Sequence, residues 1–265
     1  MIRIGIAGAR GRMGMMNIES VFNDAELTLS AALEITGHPA IGRDIGMFFG
    51  RNDINVPITD DAAKFLESAD VVIDFTGRDA SLALMEKAAS MQKKYVLGST
   101  GFSDADKARI GEFARRMPVV FASNMSVGVN VLFSLVERAA KLLGGYEVEI
   151  IEAHHDKKKD APSGTALTLA ETVAKGLSLS LKENAVYGRS GMVGARKANE
   201  IGIHAVRAGD IVGEHTVMFC TDGERIEITH KAHSRKNFSL GAMQAAKWLS
   251  SRGNGLYSMR DVLGL

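Results

Sequence analysis

Two adjacent imidazoles, three ammonium groups and a helix start fall in one short run, Glu152-Ala-His-His-Asp-Lys-Lys-Lys-Asp-Ala-Pro-Ser-Gly-Thr-Ala166. An imidazole titrates near neutrality and can give or take a proton. Pro162, Ser163, Gly164 and Thr165 open the following helix, whose N–H groups and positive dipole end suit a carboxylate or phosphate. The segment is built to hold a small anion beside proton donors. Other readings of the same residues stand beside this one. Neighbouring residues on a strand point to opposite faces, so either His154 or His155 can be a packed core histidine. Lys157 and Lys159 fit solvent better than Lys158, but spacing alone does not choose among the three. His-His-Asp156 as a metal site lacks a third ligand at a recognisable spacing, so no metal is expected. His204, His215, His230 and His233 are expected to be structural or exposed.

The elements that must position these groups follow from periodicity. The apolar run 148–151 reads as a strand, and Ala166, Leu169, Ala170, Val173, Ala174 and Leu177 recur at helical spacing. The charged groups thus sit on a strand-to-helix loop, where a rigid scaffold can carry function. Residues 1–125 alternate strand and helix: strands near 2–6, 27–33, 71–75, 94–97 and 118–122, with helices near 12–22, 62–67, 79–92 and 103–116. That alternation predicts a parallel sheet covered on both faces. Residues 37–57 are polar and Gly-rich and read as an irregular excursion. After a helix at 129–143 and a strand at 146–153, the stretch 180–198 reads as loop. Strand-like runs follow at 200–207, 211–219 and 224–231, with turn signals at 208–210 and 221–224. A last helix spans 239–250. The expected fold is α/β, a Rossmann-like parallel-sheet domain from 1–125 with 236–265, plus a smaller α+β domain at 126–235 with a mixed sheet.

Gly8-Ala9-Arg10-Gly11-Arg12-Met13-Gly14 leaves the first strand and opens the first helix, as a dinucleotide fingerprint does. The spacing is G-x-x-G-x-x-G, with Arg10 at the middle glycine of the common form. Glu34 ends the second strand, where a carboxylate accepts hydrogen bonds from an adenine ribose. The alternative is a mononucleotide-like fold with a solvated Glu34. Phe75-Thr-Gly-Arg78, Gly98-Ser99-Thr100-Gly101 and Ala122-Ser123-Asn124-Met125 fall at C-terminal strand ends, the edge where open α/β sheets bind ligands. Ordinary turn chemistry explains the first two equally well. A cleft between the two domains is expected to bring cofactor and substrate together.

With 265 residues, 46% hydrophobic and 24% charged, the composition is that of a globular protein with ample core. A net charge of +1 gives no sign of a nucleic-acid partner. No apolar stretch reaches membrane-span length, and the N-terminus lacks a signal-peptide layout. The single cysteine, Cys220, excludes an intrachain disulfide and is expected to be a buried, inert thiol. A reducing cytoplasm is the expected setting.

Taken in order, the glycine loop, Gly98-Ser-Thr-Gly101, Asn124-x-Ser-Val-Gly-Val-Asn130 and the His-His segment resemble the dihydrodipicolinate reductase family over nearly the whole chain. Val206-Arg-Ala-Gly-Asp-Ile-Val-Gly-Glu-His215 and Glu227-Ile-Thr-His-Lys-Ala232 carry the resemblance further. It implies hydride transfer from NADH or NADPH to a cyclic dicarboxylate, in lysine and diaminopimelate biosynthesis, by a homotetramer assembled through the second domain's sheet. It puts the proton donor or acceptor on His154 and a second proton donor on Lys158. Substrate contacts fall on His155, Ser163, Gly164 and Thr165. Cofactor contacts fall on Gly8 to Met13, Glu34, Gly98, Ser99, Thr100, and Ala122 to Met125. Ile35 stands where many members carry Arg beside a 2′-phosphate, so NADH is expected to serve at least as well as NADPH; the alternative is a phosphate paired with Arg12 or Arg10. Gly77 displaces to Arg78 a basic residue found one place earlier in some members, and Met125 replaces an aromatic. Two rival functions remain at this level: another nicotinamide oxidoreductase on a small dicarboxylate or amino acid, and a dinucleotide sensor without turnover.

Overall fold

The computed structural model describes all 265 residues. Along the chain, β1 (Ile2–Ala7), α1 (Arg12–Phe22), β2 (Leu27–Leu33), β3 (Ile58–Thr59), α2 (Ala62–Ser68) and β4 (Val71–Asp74) come first. They are followed by α3 (Arg78–Ser90), β5 (Lys94–Leu97), α4 (Asp104–Ala114) and β6 (Pro118–Phe121). Next come α5 (Val127–Leu142), β7 (Glu147–His154), α6 (Gly164–Gly176), α7 (Leu181–Asn184) and β8 (Ala185–Tyr187). The chain continues through β9 (Ile201–Arg207), β10 (Gly213–Thr221) and β11 (Glu224–Ala232) to α8 (Lys236–Leu249), β12 (Gly255–Tyr257) and α9 (Met259–Leu263). It packs as two compact units, Met1–Ser126 with Lys236–Gly264, and Val127–Arg235 with Leu265.

The first unit is a Rossmann-like sheet in the order β12-β6-β5-β4-β1-β2-β3, parallel throughout. Alternation along the strands feeds two apolar layers. Ile4, Ile6, Val71 and Ile73 join Ile18, Ala242, Ala246 and Leu249 on one side. Val72, Tyr95, Leu97 and Val119 join Phe65, Met85, Ile110 and Phe113 on the other. Helix starts are set locally. Asp61 accepts from the Ala63 and Lys64 N–H groups at α2, and Ser103 with Asp106 forms a capping box at α4. The polar excursion is ordered by one side chain: Asp44 accepts from the N–H groups of Gly46, Ile54 and Val56, shaping a 3₁₀ turn at Ile45–Phe49. The tail supplies a strand and a helix, β12 and α9, that periodicity does not reveal, because each is short.

The second unit has the sheet order β11-β10-β7-β9-β8. It is mixed, with β11-β10-β7 antiparallel and β7-β9-β8 parallel. One face packs Val148, Ile150, Ile203, Val217 and Phe219 against Val129, Leu132, Val136, Leu169 and Val173 of α5 and α6. The opposite face carries Glu149, which pairs with Arg189, Arg196 and His204; these hydrogen bonds and the arginine charge outweigh burial and hold its carboxyl at about 2. Three expectations change here. The stretch 180–198 contains α7 and β8, because β9 offers a free parallel edge for residues 185–187. The turn at 208–210 does not close a hairpin: β9 and β10 flank β7 instead of pairing with each other. Cys220 is half-exposed, because its position on β10 alternates away from the buried Phe219.

Candidate active site

On β7, Glu152 and His154 share a face two residues apart. Register brings His215 of β10 opposite Glu152 and Arg207 of β9 opposite His154. Glu152 is 0% exposed. Its Oε1 accepts from the Ser163 N–H at 3.0 Å and Arg207 Nη2 at 2.7 Å, and its Oε2 accepts from Arg207 Nη1 at 2.8 Å. His154 Nδ1 meets Oε2 at 2.6 Å. Burial alone would raise the Glu152 pKa, but Arg207, His154 and the Ser163 N–H outweigh it and hold the carboxyl below its ordinary value. For His154, burial lowers the pKa below the ordinary imidazole value. Glu152 opposes that shift, while the charges of Lys158 and Arg207 add to it.

The loop after β7 is tied to the turn that follows β9. Ala208 N–H donates to His154 O, and Asp156 N–H to Gly209 O. Lys157 and Lys159 are exposed, whereas the Lys158 side chain is 20% exposed and its Nζ meets both Asp160 oxygens at 2.9 Å. Helix α6 opens at Gly164, with Ser163 as N-cap accepting from the Ala166 N–H at 3.1 Å. Gly164 is exposed and Thr165 half-buried. His155 lies just past the strand, half-buried, with a buried Nδ1 that has no protein partner. Ser163 Oγ also contacts His215 Nε2 at 3.0 Å, and the His215 ring stands edge-on to His154 with centroids 5.2 Å apart. Glu152, Arg207 and His215 are site residues that motif reading missed. Glu152 was detectable as the residue two before His154; Arg207 and His215 arrive only through strand pairing.

In the first unit the glycine loop occupies the C-terminal end of β1, where strand order reverses between β4 and β2. Gly8 has φ +67°, and a Cβ on Gly14 would stand 2.0 Å from the Gly8 carbonyl, so this turn closes only with glycines. Gly11 is the N-cap of α1 and brings no side-chain cap, while Arg12 is exposed and Met13 half-buried. That leaves the helix end suited to a pyrophosphate. Ala9 is buried under the loop. Glu34 accepts from the Arg10 N–H at 2.8 Å and the Ile35 N–H at 2.9 Å, which places its carboxylate beside the loop. The residues present therefore fit a dinucleotide. The Arg10 guanidinium lies over the Phe48 ring, 3.7 Å from its centroid.

Gly98, Ser99 and Thr100 follow β5. Ser99 is buried and bonded to Ser81 at 2.9 Å, Gly98 lies against the Phe75 ring, and Thr100 is exposed. Ala122, Ser123 and Asn124 follow β6 at the same sheet edge, with Asn124 Oδ1 accepting from the Ser126 N–H at 2.9 Å. Met125 is buried in the core instead of lining that edge. Arg78 is engaged by Asp106 at 2.6 and 2.9 Å. Among the histidines without an assigned role, His204 pairs with Glu149, His230 is half-buried and His233 is exposed. No three His, Cys, Asp or Glu side chains converge as metal ligands would, and no helix is long and apolar enough to cross a membrane.

A parallel sheet with a glycine loop at its switch point, joined in one chain to a mixed sheet bearing an imidazole, an amine and an anion-ready helix end, defines a dinucleotide-dependent oxidoreductase. Comparison narrows the class. Residues 2–125 match the family described as Dihydrodipicolinate reductase, N-terminus, and residues 128–263 match Dihydrodipicolinate reductase, C-terminus. The chain belongs to the dihydrodipicolinate reductase family. It is 51% identical over 265 residues, all of both chains, to the 4-hydroxy-tetrahydrodipicolinate reductase of Paraburkholderia phymatum. It is 51% identical over 267 residues to that of Chromohalobacter salexigens, covering 100% of this chain and 99% of the relative. A solved dipicolinate-bound dihydrodipicolinate reductase from Paenisporosarcina superposes with a TM-score of 0.78 at 25% identity, covering 97% of each chain. An amine dehydrogenase from Mycobacterium smegmatis shares the fold alone, with a TM-score of 0.64 at 12% identity over 97% and 95% of the two chains.

Proposed function

We propose that the chain is a 4-hydroxy-tetrahydrodipicolinate reductase, reducing the dihydrodipicolinate ring to tetrahydrodipicolinate on the route to lysine and diaminopimelate. The observation that carries this reading is the convergence in one unit of His154, Lys158 and the start of α6. The reaction adds one hydride and one proton across an unsaturated ring that bears two carboxylates. A reduced nicotinamide, when bound, supplies the hydride. Gly8, Ala9, Arg10, Gly11, Arg12, Met13 and Glu34, with Gly98, Ser99, Thr100, Ala122, Ser123 and Asn124, form its binding set, and Met125 packs in the core behind them.

The chain's own groups do the rest. Lys158 and the N–H groups at Gly164 and Thr165 offset the desolvation of the carboxylates, with Ser163 and His155 completing the grip. His154 moves the proton that quenches negative charge left on the ring, and Lys158 is a second donor. The lowered His154 pKa fits this role, because a dianion docked beside the ring raises that pKa. The test is nicotinamide absorbance loss with freshly made synthase product. His154→Ala and Lys158→Ala should each cut turnover on the order of 100-fold while cofactor affinity holds. Unchanged turnover in both refutes the roles.

The cofactor preference we propose is NADH at least equal to NADPH. Ile35 is 73% exposed beside Glu34 and offers a 2′-phosphate no charge, and the Glu34 carboxylate repels one. The ratio of kcat/KM for the two cofactors decides it; a strong NADPH preference overturns it. The proposed assembly is a homotetramer through the second unit's sheet, supported by exposed Ile151 and Val206 on the face turned away from α5 and α6. The proposed setting is the cytoplasm, which suits a chain with one half-exposed thiol.

A further inference from the structure

Glu152 receives four donors and has no contact with solvent. Arg207 forks onto both oxygens, the Ser163 N–H takes Oε1, and His154 Nδ1 takes Oε2 at 2.6 Å. An ionised carboxylate has no proton to offer, so Nδ1 is the donor of that bond. Neutral His154 is therefore the Nδ1–H tautomer, with its lone pair on Nε2. That second nitrogen lies over Gly213 of β10: a Cβ there would stand 3.1 Å from Nε2. Any side chain at 213 would crowd the nitrogen.

From this geometry we infer that Glu152 is a positioning residue for the reaction, fixing Nε2 of His154 as the atom that exchanges the proton, and that Gly213 keeps that atom open. The same carboxylate holds the Ser163 N–H, so one buried group sets both the imidazole and the start of the anion-binding helix. The inference rests on the reductase reading. The groups facing His154 are Glu152 on its own strand, Lys158 on the loop, Arg207 on β9 and His215 on β10, with Ser163 at α6 bonded to Glu152 and His215, and His230 of β11 acting on His215. Glu152 is the one anion among them that bonds the ring, so the tautomer depends on it.

Glu152→Gln reverses the arrangement by hydrogen-bond logic. The amide oxygen stays where Ser163 N–H and Arg207 Nη2 point, which turns the amide NH₂ toward His154 Nδ1 and gives up the bond from Arg207 Nη1. Nδ1 must then accept, and Nε2 carries the proton in the neutral ring.

The test has two readouts. The first is imidazole ¹⁵N chemical shifts of His154 in the wild type across pH, which need no turnover and no variant. Neutral His154 protonated on Nδ1 supports the proposal; neutral His154 protonated on Nε2 overturns it. The second is steady-state kinetics on an active wild type; an inactive wild type refutes the reductase reading and leaves the tautomer result to judge the inference. Glu152→Gln should lower kcat on the order of 100-fold, with KM for the dicarboxylate changed less and the pH profile displaced, and Glu152→Asp should restore part of kcat. Gly213→Ala leaves the carboxylate network in place and should lower kcat at least about tenfold with cofactor KM unchanged. Normal kcat and an unshifted pH profile in folded Glu152→Gln, or normal kcat in Gly213→Ala, overturns the corresponding half.

Discussion

His215 shows how one side chain can couple the site to stability. It is 4% exposed, contacts Ser163 Oγ, and stands beside His154. Burial first, then the nearby His154, His230 and Lys158, lower its pKa to about 4, with Glu152 opposing. Because the folded pKa lies below the ordinary value of about 6.5, the unfolded chain binds the proton first as pH falls. The stability is complete above that value and is lost progressively down to about pH 4. The shift corresponds to about 3 kcal/mol. Urea unfolding at pH 7.5 and pH 5 should show most of that difference, and His215→Asn should flatten it. A wild type equally stable at both pH values would exclude the mechanism.

Among the elements, α1 combines a functional start with an imperfect buried face. Its first turn is left without a side-chain cap for the sake of a ligand, while Ser20 on its buried face bonds Ser239 of α8 at 2.9 Å. Asn17 lies fully buried on the same helix, and neither of its amide atoms has a partner. An unpaired buried amide costs about 1–3 kcal/mol. Asn17→Leu, close in volume and favourable in a helix, should raise stability by about 1–2 kcal/mol with cofactor affinity unchanged. Thermal unfolding and cofactor titration read the two effects separately. A lower melting temperature would show that this amide contributes more in place than its burial costs.

At the scale of the molecule, the first unit is assembled from both ends of the chain. Helix α8 buries Ala242, Met243, Ala245, Ala246 and Leu249 in the layer that covers β1 and β4, and β12 pairs with β6 at the sheet edge. A buried aliphatic side chain the size of Leu or Met contributes about 1.5–3 kcal/mol, and whole domains are stable by about 5–15 kcal/mol. A chain ending at residue 235 should therefore leave the first unit without cooperative unfolding, although every residue of the glycine loop is present. Hydrogen exchange at β4 and β5 should become fast. Slow exchange there would mean that the remaining layers suffice.

Reading the residues alone went far here because the decisive signals are local. Strand–helix alternation, the glycine turn opening α1 and the helix start after His154 and Lys158 each depend on a few neighbours and on backbone sterics. The excursion at 37–57 was less legible, since three N–H groups gathered by Asp44 leave no periodic trace. Tertiary structure decided which lysine is sheltered, which nitrogen of His154 is free, and what surrounds them. Arg207 and His215 reach Glu152 through pairing between strands dozens of residues apart, with β7 inserted between β9 and β10. Spacing carries no record of such a choice, because it is the competition among all edges in the folded sheet that settles which strands meet.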